Sequence, residues 1–125
     1  MISPLDLPAT ELTPAVRYDS TTGELLLEGE SYPENVATFY GPIRDWIRQA
    51  TAEKLPLRVV FSLDYLNTSS TKALLDLFYE LDAYFQKGGP ADIVWRYRAG
   101  VEVMKEAGAE LGEDLHLPFR LEEIA

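Results

Sequence analysis

Along this chain, segments with apolar residues at every second position alternate with segments that repeat them every three to four. This alternation constrains the fold most, because a period of two fits a strand and a period near 3.6 fits a helix. Val16 and Tyr18 alternate with Arg17 and Asp19, DSTTG (19–23) carries turn chemistry, and Leu25, Leu26 and Leu27 follow, which predicts a β-hairpin. From Ser31 to about Thr51, Val36, Phe39, Tyr40, Ile43, Trp46, Ile47 and Ala50 share one helical face. Ser31 with Glu34 fits a capping box, with Pro33 tolerated in the first turn, and Pro42 predicts a kink or break at Gly41-Pro42. Leu57, Val59, Phe61 and Leu63 alternate with Val60 also apolar, as in a strand covered on both faces. Leu74, Leu77, Phe78, Leu81, Tyr84 and Phe85 stripe a second helix from about Ser69 to Gln86, ended by Gly88-Gly89-Pro90. Ile93 to Tyr97 reads as a strand, Val101 to Leu111 as a short third helix, and Leu117 to Leu121 as a last strand.

Strands alternating with helices imply an α/β domain with a mostly parallel sheet and right-handed crossovers, to which the hairpin adds an antiparallel edge. The 125 residues suffice for one such domain, 1–125, in which 1–14, with three prolines, form an irregular arm. The chain has no cysteine, which removes disulfides, cysteine-ligated zinc and thiol catalysis. Its 21 acids against 11 bases give a formal charge of −10, unsuited to nucleic acid or an anionic membrane surface. No segment approaches the roughly 18 apolar residues of a membrane span, and MISPLDLPATELTP lacks the basic start and apolar run of a signal peptide. The expectation is a soluble cytoplasmic protein without membrane insertion.

Enzyme signatures are missing: no phosphate-cradling glycine loop, no GxSxG, no grouping of metal-ligand spacing, and one histidine, His116. No cofactor is expected, and the chain reads as a non-enzyme. A small acidic enzyme using paired carboxylates is the alternative, with a plain interaction scaffold as the bland one. Glu102, Glu106 and Glu110 recur every four residues on one helix face, a solvated face or an acidic docking surface.

The most unusual feature is Asn67-Thr68-Ser69-Ser70-Thr71, between a buried strand and a strong helix. Ser and Thr cap helices well, but one cap needs one hydroxyl and four stand here in a row. The loop lies at the carboxyl end of a central strand, where open α/β sheets present functional groups. A phosphate added there would meet free N–H groups and the positive end of the helix dipole, and would bring about −1.5 to −2 charges.

At this cluster the chain resembles a known family. GESYPENVATFYGPIRDWI (29–47) and LDYLNTSSTKALLDLF (63–78), with IVWRY (93–97), EAG (106–108) and LPF (117–119), are similar to the SiaC family of small bacterial regulatory phosphoproteins linked to biofilm control. The resemblance implies a fold like that of STAS-type anti-sigma-factor antagonists and a partner-switching role. It implies three partners: a SiaB-like Ser/Thr protein kinase, a SiaA-like PP2C-type phosphatase, and a SiaD-like GGDEF diguanylate cyclase. The cyclase is bound and activated by the unphosphorylated form for cyclic-di-GMP synthesis. Carried onto this chain, the phosphoacceptor is Thr68, with Ser69, Ser70 and Thr71 as weaker candidates. Tyr65, Asn67, Ser69, Ser70, Thr71 and Lys72 are then candidate recognition residues, Lys72 lying about one turn from Thr68. Tyr32, Pro33, Glu34 and Asn35 form a candidate second contact surface, although starting the first helix already accounts for Pro33 and Glu34. The stretch Arg98-Ala99-Gly100-Val101 departs from the acidic pattern of the family.

Overall fold

The computed structural model describes residues 4–125. Nine elements follow in the order β1 (Asp6–Leu7), β2 (Ala15–Asp19), β3 (Glu24–Ser31), α1 (Val36–Ala52), β4 (Leu57–Leu66), α2 (Thr68–Gln86), β5 (Ala91–Arg98), α3 (Glu102–Gly112) and β6 (Phe119–Ile124). Among the described residues the arm holds one short strand, β1, which pairs antiparallel with β2 and buries the preceding Leu5. Met1 to Ser3 of that arm lie outside the described residues.

The strands form one six-stranded sheet in chain order. β1, β2 and β3 pair antiparallel, and β3 to β6 pair parallel. The hairpin and the mostly parallel remainder are as the periodicity predicts. In the hairpin turn Asp19 Oδ1 accepts the Thr21 N–H at 2.9 Å and the Asp19 carbonyl accepts the Gly23 N–H at 2.8 Å. Gly23 holds φ at +73°, where a side chain is strained.

Each crossover moves one strand further in the same direction, so the helices share one face, where α1 touches α2 and α2 touches α3. Between sheet and helices Leu25, Leu27, Val59, Phe61, Ile93 and Trp95 meet Ile43, Ile47, Leu74, Leu77, Phe78 and Leu81 in one core. Over Val59 to Phe61 β4 is buried on both faces, as its apolar run predicts, although the helices lie on one face only. Val60 and Val94 face away from the helices, yet they are buried. In register they lie among Leu26, Arg58, Arg96 and Arg120, and long arginine stems cover apolar surface while their heads stay wet.

Two further details differ from the sequence reading. Helix α1 begins at Val36, capped by Asn35, whose Oδ1 accepts the Thr38 N–H at 3.1 Å. Ser31 is instead the last residue of β3, so Ser31 and Glu34 form no capping box and Pro33 precedes the helix. α1 also runs unbroken through Pro42. The lost hydrogen bond leaves the carbonyl of Thr38, an exposed residue to which water has access.

Candidate functional site

Helix α2 starts where β4 reaches its carboxyl end, and its start is fixed by Asn67 rather than by a hydroxyl. Asn67 is extended, with φ −85° and ψ 171°, and its Oδ1 accepts the Ser70 N–H at 2.8 Å. Its carbonyl takes the Thr71 N–H at 2.9 Å and the Thr71 hydroxyl at 3.0 Å. Its own N–H donates to the Ser31 carbonyl at 3.1 Å, which ties the loop to the end of β3.

The four hydroxyls that stand together in sequence are separated by this geometry. Ser70 is fully buried, and the Ser31 hydroxyl donates to its Oγ at 2.8 Å, while Ser31 also bonds the Tyr40 hydroxyl. Burial pushes the Tyr40 phenol up, against the pull of those hydroxyl bonds. Thr71 is half-buried and engaged with Asn67. Thr68 and Ser69 are exposed, and among the described residues their hydroxyls have no hydrogen-bond partner. Exposed first-turn residues at a dipole-positive helix end are where an added phosphate finds N–H groups.

Around the tip, Tyr65 is half exposed and meets Tyr32 edge-on, with ring centroids 5.3 Å apart. The Tyr32 hydroxyl donates to Glu30 Oε2 at 3.2 Å, and partial burial, then the Glu30 carboxylate, raise its pKa. Lys72 is exposed and lines a groove between α1 and α2 with Ser69, Arg44 and Asp76. Of the second block, Tyr32 thus joins the tip, Pro33 is buried, Glu34 is exposed, and Asn35 caps α1. The departing stretch lies near the same end of the sheet: Arg98 donates to Asp64 Oδ1 at 2.8 Å, and the Ala99 N–H to the Ile124 carbonyl at 2.7 Å.

Sequence reasoning missed Ser31 and Tyr40 as members of this site. The signal was present in the strand pattern, since Ser31 continues the inward alternation of Leu25 and Leu27.

Elsewhere several acids are held in ion pairs. Glu80 takes Arg44 and Arg48, Asp92 takes Arg58, Glu122 takes Arg96 and Arg120, and Asp64 takes Arg98. Arg48, then Arg44, hold the Glu80 carboxyl below its ordinary range despite partial burial. No group of three or more His, Asp or Glu gathers as metal ligands among the described residues. No helix among them is long and apolar enough to cross a membrane. Glu102, Glu106 and Glu110 are exposed on α3.

The structure is thus a mixed α/β domain that presents two exposed hydroxyls, without hydrogen-bond partners among the described residues, at the start of a helix. The chain belongs to the SiaC family of regulatory phosphoproteins, whose profile matches residues 7–124. It is 37% identical over 122 residues, 97% of each chain, to an uncharacterized protein of Pseudomonas aeruginosa strain UCBPP-PA14. It is similar to solved SiaC from Pseudomonas aeruginosa, at 36% identity and a TM-score of 0.91, covering 98% of this chain and 100% of that one. A second structure at the same identity and TM-score, covering 96% and 99%, shows the diguanylate cyclase SiaD in complex with its activator SiaC.

Proposed function

We propose that this protein is a phosphorylation-controlled activator of a GGDEF-type diguanylate cyclase, itself without catalytic activity and working in the cytoplasm. The observation that carries the reading is the likeness, at a TM-score of 0.91 over nearly the whole chain, to SiaC bound to the cyclase that it activates. The site supports the switch. Unmodified, Thr68 presents a small neutral tip beside Tyr32 and Tyr65, and exposed aromatics of this kind anchor protein interfaces. Phosphorylated, the tip carries charge whose desolvation in a partner interface costs several kcal/mol unless it is paired. A Ser/Thr kinase therefore releases the cyclase, and a PP2C-type phosphatase restores binding.

Thr68 is preferred over Ser69 as acceptor by its place in the NTSS motif, and over Ser70 and Thr71 by exposure as well. Tyr65, Asn67, Ser69 and Lys72 shape the surface that kinase and phosphatase read. The fold relation to STAS-type antagonists accords with the parallel core and the helix start at its carboxyl end. The test is cyclic-di-GMP formation from GTP by the diguanylate cyclase of the same genome. Stimulation on adding the unmodified protein is expected, and an unchanged rate at saturating protein contradicts the reading.

A further inference from the structure

Beneath the exposed tip lies a group of hydroxyls that phosphorylation of Thr68 does not use. Ser31, Tyr40 and Ser70 come from β3, α1 and α2, and all three are buried, at 0%, 4% and 0% exposure. Ser31 is the hub. Its hydroxyl donates to Ser70 Oγ at 2.8 Å and bonds the Tyr40 hydroxyl, while its carbonyl accepts the Asn67 N–H at 3.1 Å. Asn67 in turn holds the Ser70 and Thr71 N–H groups. Ser31 thus touches both ends of the first turn of α2, the cap residue and the third helical residue, with Thr68 and Ser69 between them.

A kinase needs an acceptor hydroxyl that reaches solvent with its Oγ free. Ser70 carries the same chemistry as Thr68 two positions away, and what separates them is helix phase, which puts Ser70 on the buried stripe of Leu74, Leu77 and Leu81, where the Ser31 hydroxyl satisfies it. Without that partner a buried hydroxyl is left short of a bond, which is costly in a dry core and loosens the seat of the first turn on β3, so that the turn can fray and bring Ser70 to solvent.

We propose that Ser31 is the positioning residue of the modification site: it locks the first turn of α2 to β3 and α1, keeps Ser70 turned inward, and so restricts phosphorylation to the exposed end of the turn. The inference rests on the reading of Thr68 as the acceptor. It assigns Ser31 no contact with the kinase, since the residue is fully buried.

Two measurements on the full chain test it, using Ser31→Ala and the milder Tyr40→Phe, which removes one hydroxyl and keeps the ring. By amide hydrogen exchange, the Ser70 and Thr71 amides should exchange about ten- to a hundredfold faster in Ser31→Ala, with Leu77 to Leu81 unchanged. Tyr40→Phe should accelerate the same two amides by a smaller factor, which keeps the test intact if Ser31→Ala fails to fold. By phosphosite mapping after treatment with the kinase and ATP, wild type should carry phosphate at Thr68. Ser31→Ala should show phosphate at Ser70 or a rate at Thr68 reduced about tenfold. Wild-type exchange in both variants overturns the proposal. So does faster exchange with phosphate still on Thr68 alone at the wild-type rate. A wild type that accepts no phosphate contradicts the reading of Thr68, and the exchange data then decide by themselves whether Ser31 holds the turn.

Discussion

Thr68 and Ser69 are available while the polar residues on either side of them are occupied. Asn67 spends its side chain and carbonyl on the first turn of α2, Ser70 is folded into the interior, and Thr71 bonds back to Asn67. Replacing Asn67 with Ala removes the cap, and about 1 kcal/mol of stability should be lost in denaturant unfolding. An unchanged midpoint would show that the cap contributes nothing. Thr68→Ala should preserve cyclase binding and Thr68→Glu should weaken it, read by calorimetry; equal affinities would count against charge as the agent of release. The motif was legible in the sequence as a run of hydroxyls at a helix start, and the helical period puts Ser70 on the stripe of Leu74, Leu77 and Leu81. What was not legible is the pair that satisfies it there, Ser31 and Tyr40, which lie 39 and 30 residues away. For the same reason Ser31 and Glu34 read as a capping box. Their spacing of three fits one locally, but the strand pairing of Ser31 with Leu66 overrides it.

At the scale of elements, two contacts hold α2 and α3 to the β5–β6 end of the sheet. Asp82 of α2 is buried, and its Oδ1 accepts the His116 and Leu117 N–H groups at 2.7 and 2.9 Å. Its Oδ2 meets Gln86 Nε2 at 2.8 Å and His116 Nδ1 at 3.1 Å. Burial alone would raise the Asp82 pKa, but the bonds from His116, Leu117 and Gln86 outweigh it and hold the carboxyl below its ordinary range. The stabilisation is therefore complete above the unfolded value near 3.8 and is lost as pH falls through the lower folded value. Asp82→Asn should cost about 2 kcal/mol at neutral pH and flatten the acid limb of the stability curve, measured by urea unfolding from pH 7 to 2. An unaltered acid limb would mean that this carboxylate does not fasten the turn before β6. The second contact is α3 on Trp95, whose Nε1 donates to the Met104 carbonyl at 2.9 Å. A Cβ on Gly108 would lie 2.3 Å from Trp95 Cδ1, so only glycine lets the helix approach this closely. Gly108→Ala should destabilise by about 1–3 kcal/mol and shift Trp95 fluorescence. The helices and long strands were legible because their stripes are long and regular. β1 was not, because a two-residue strand has no period to read.

Over the whole molecule, the charge of −10 is distributed rather than spread evenly. Residues 99–125 hold 7 acids against 2 bases, and 57–98 hold 5 of each. Arg58, Arg96 and Arg120 form ion pairs and lie in register around Val60 and Val94 on the helix-free side of the sheet, where both valines are buried. The sequence reading had the strand of Val60 covered on both faces, and Val60 is buried; it could not show that the helices lie on the other face, since strand order decides which face they take. The segment bearing Thr68 is formally neutral, so one phosphate turns it net negative, by about −1.5 to −2. We propose that this one phosphate governs the encounter with the cyclase. Calorimetric titration of the diguanylate cyclase with unmodified protein and with protein fully phosphorylated at Thr68 tests it most directly. Tight binding of the unmodified form and a loss of about a hundredfold or more on phosphorylation are expected, in line with the several kcal/mol that burying an unpaired charge costs. Equal affinities for the two forms would contradict the account.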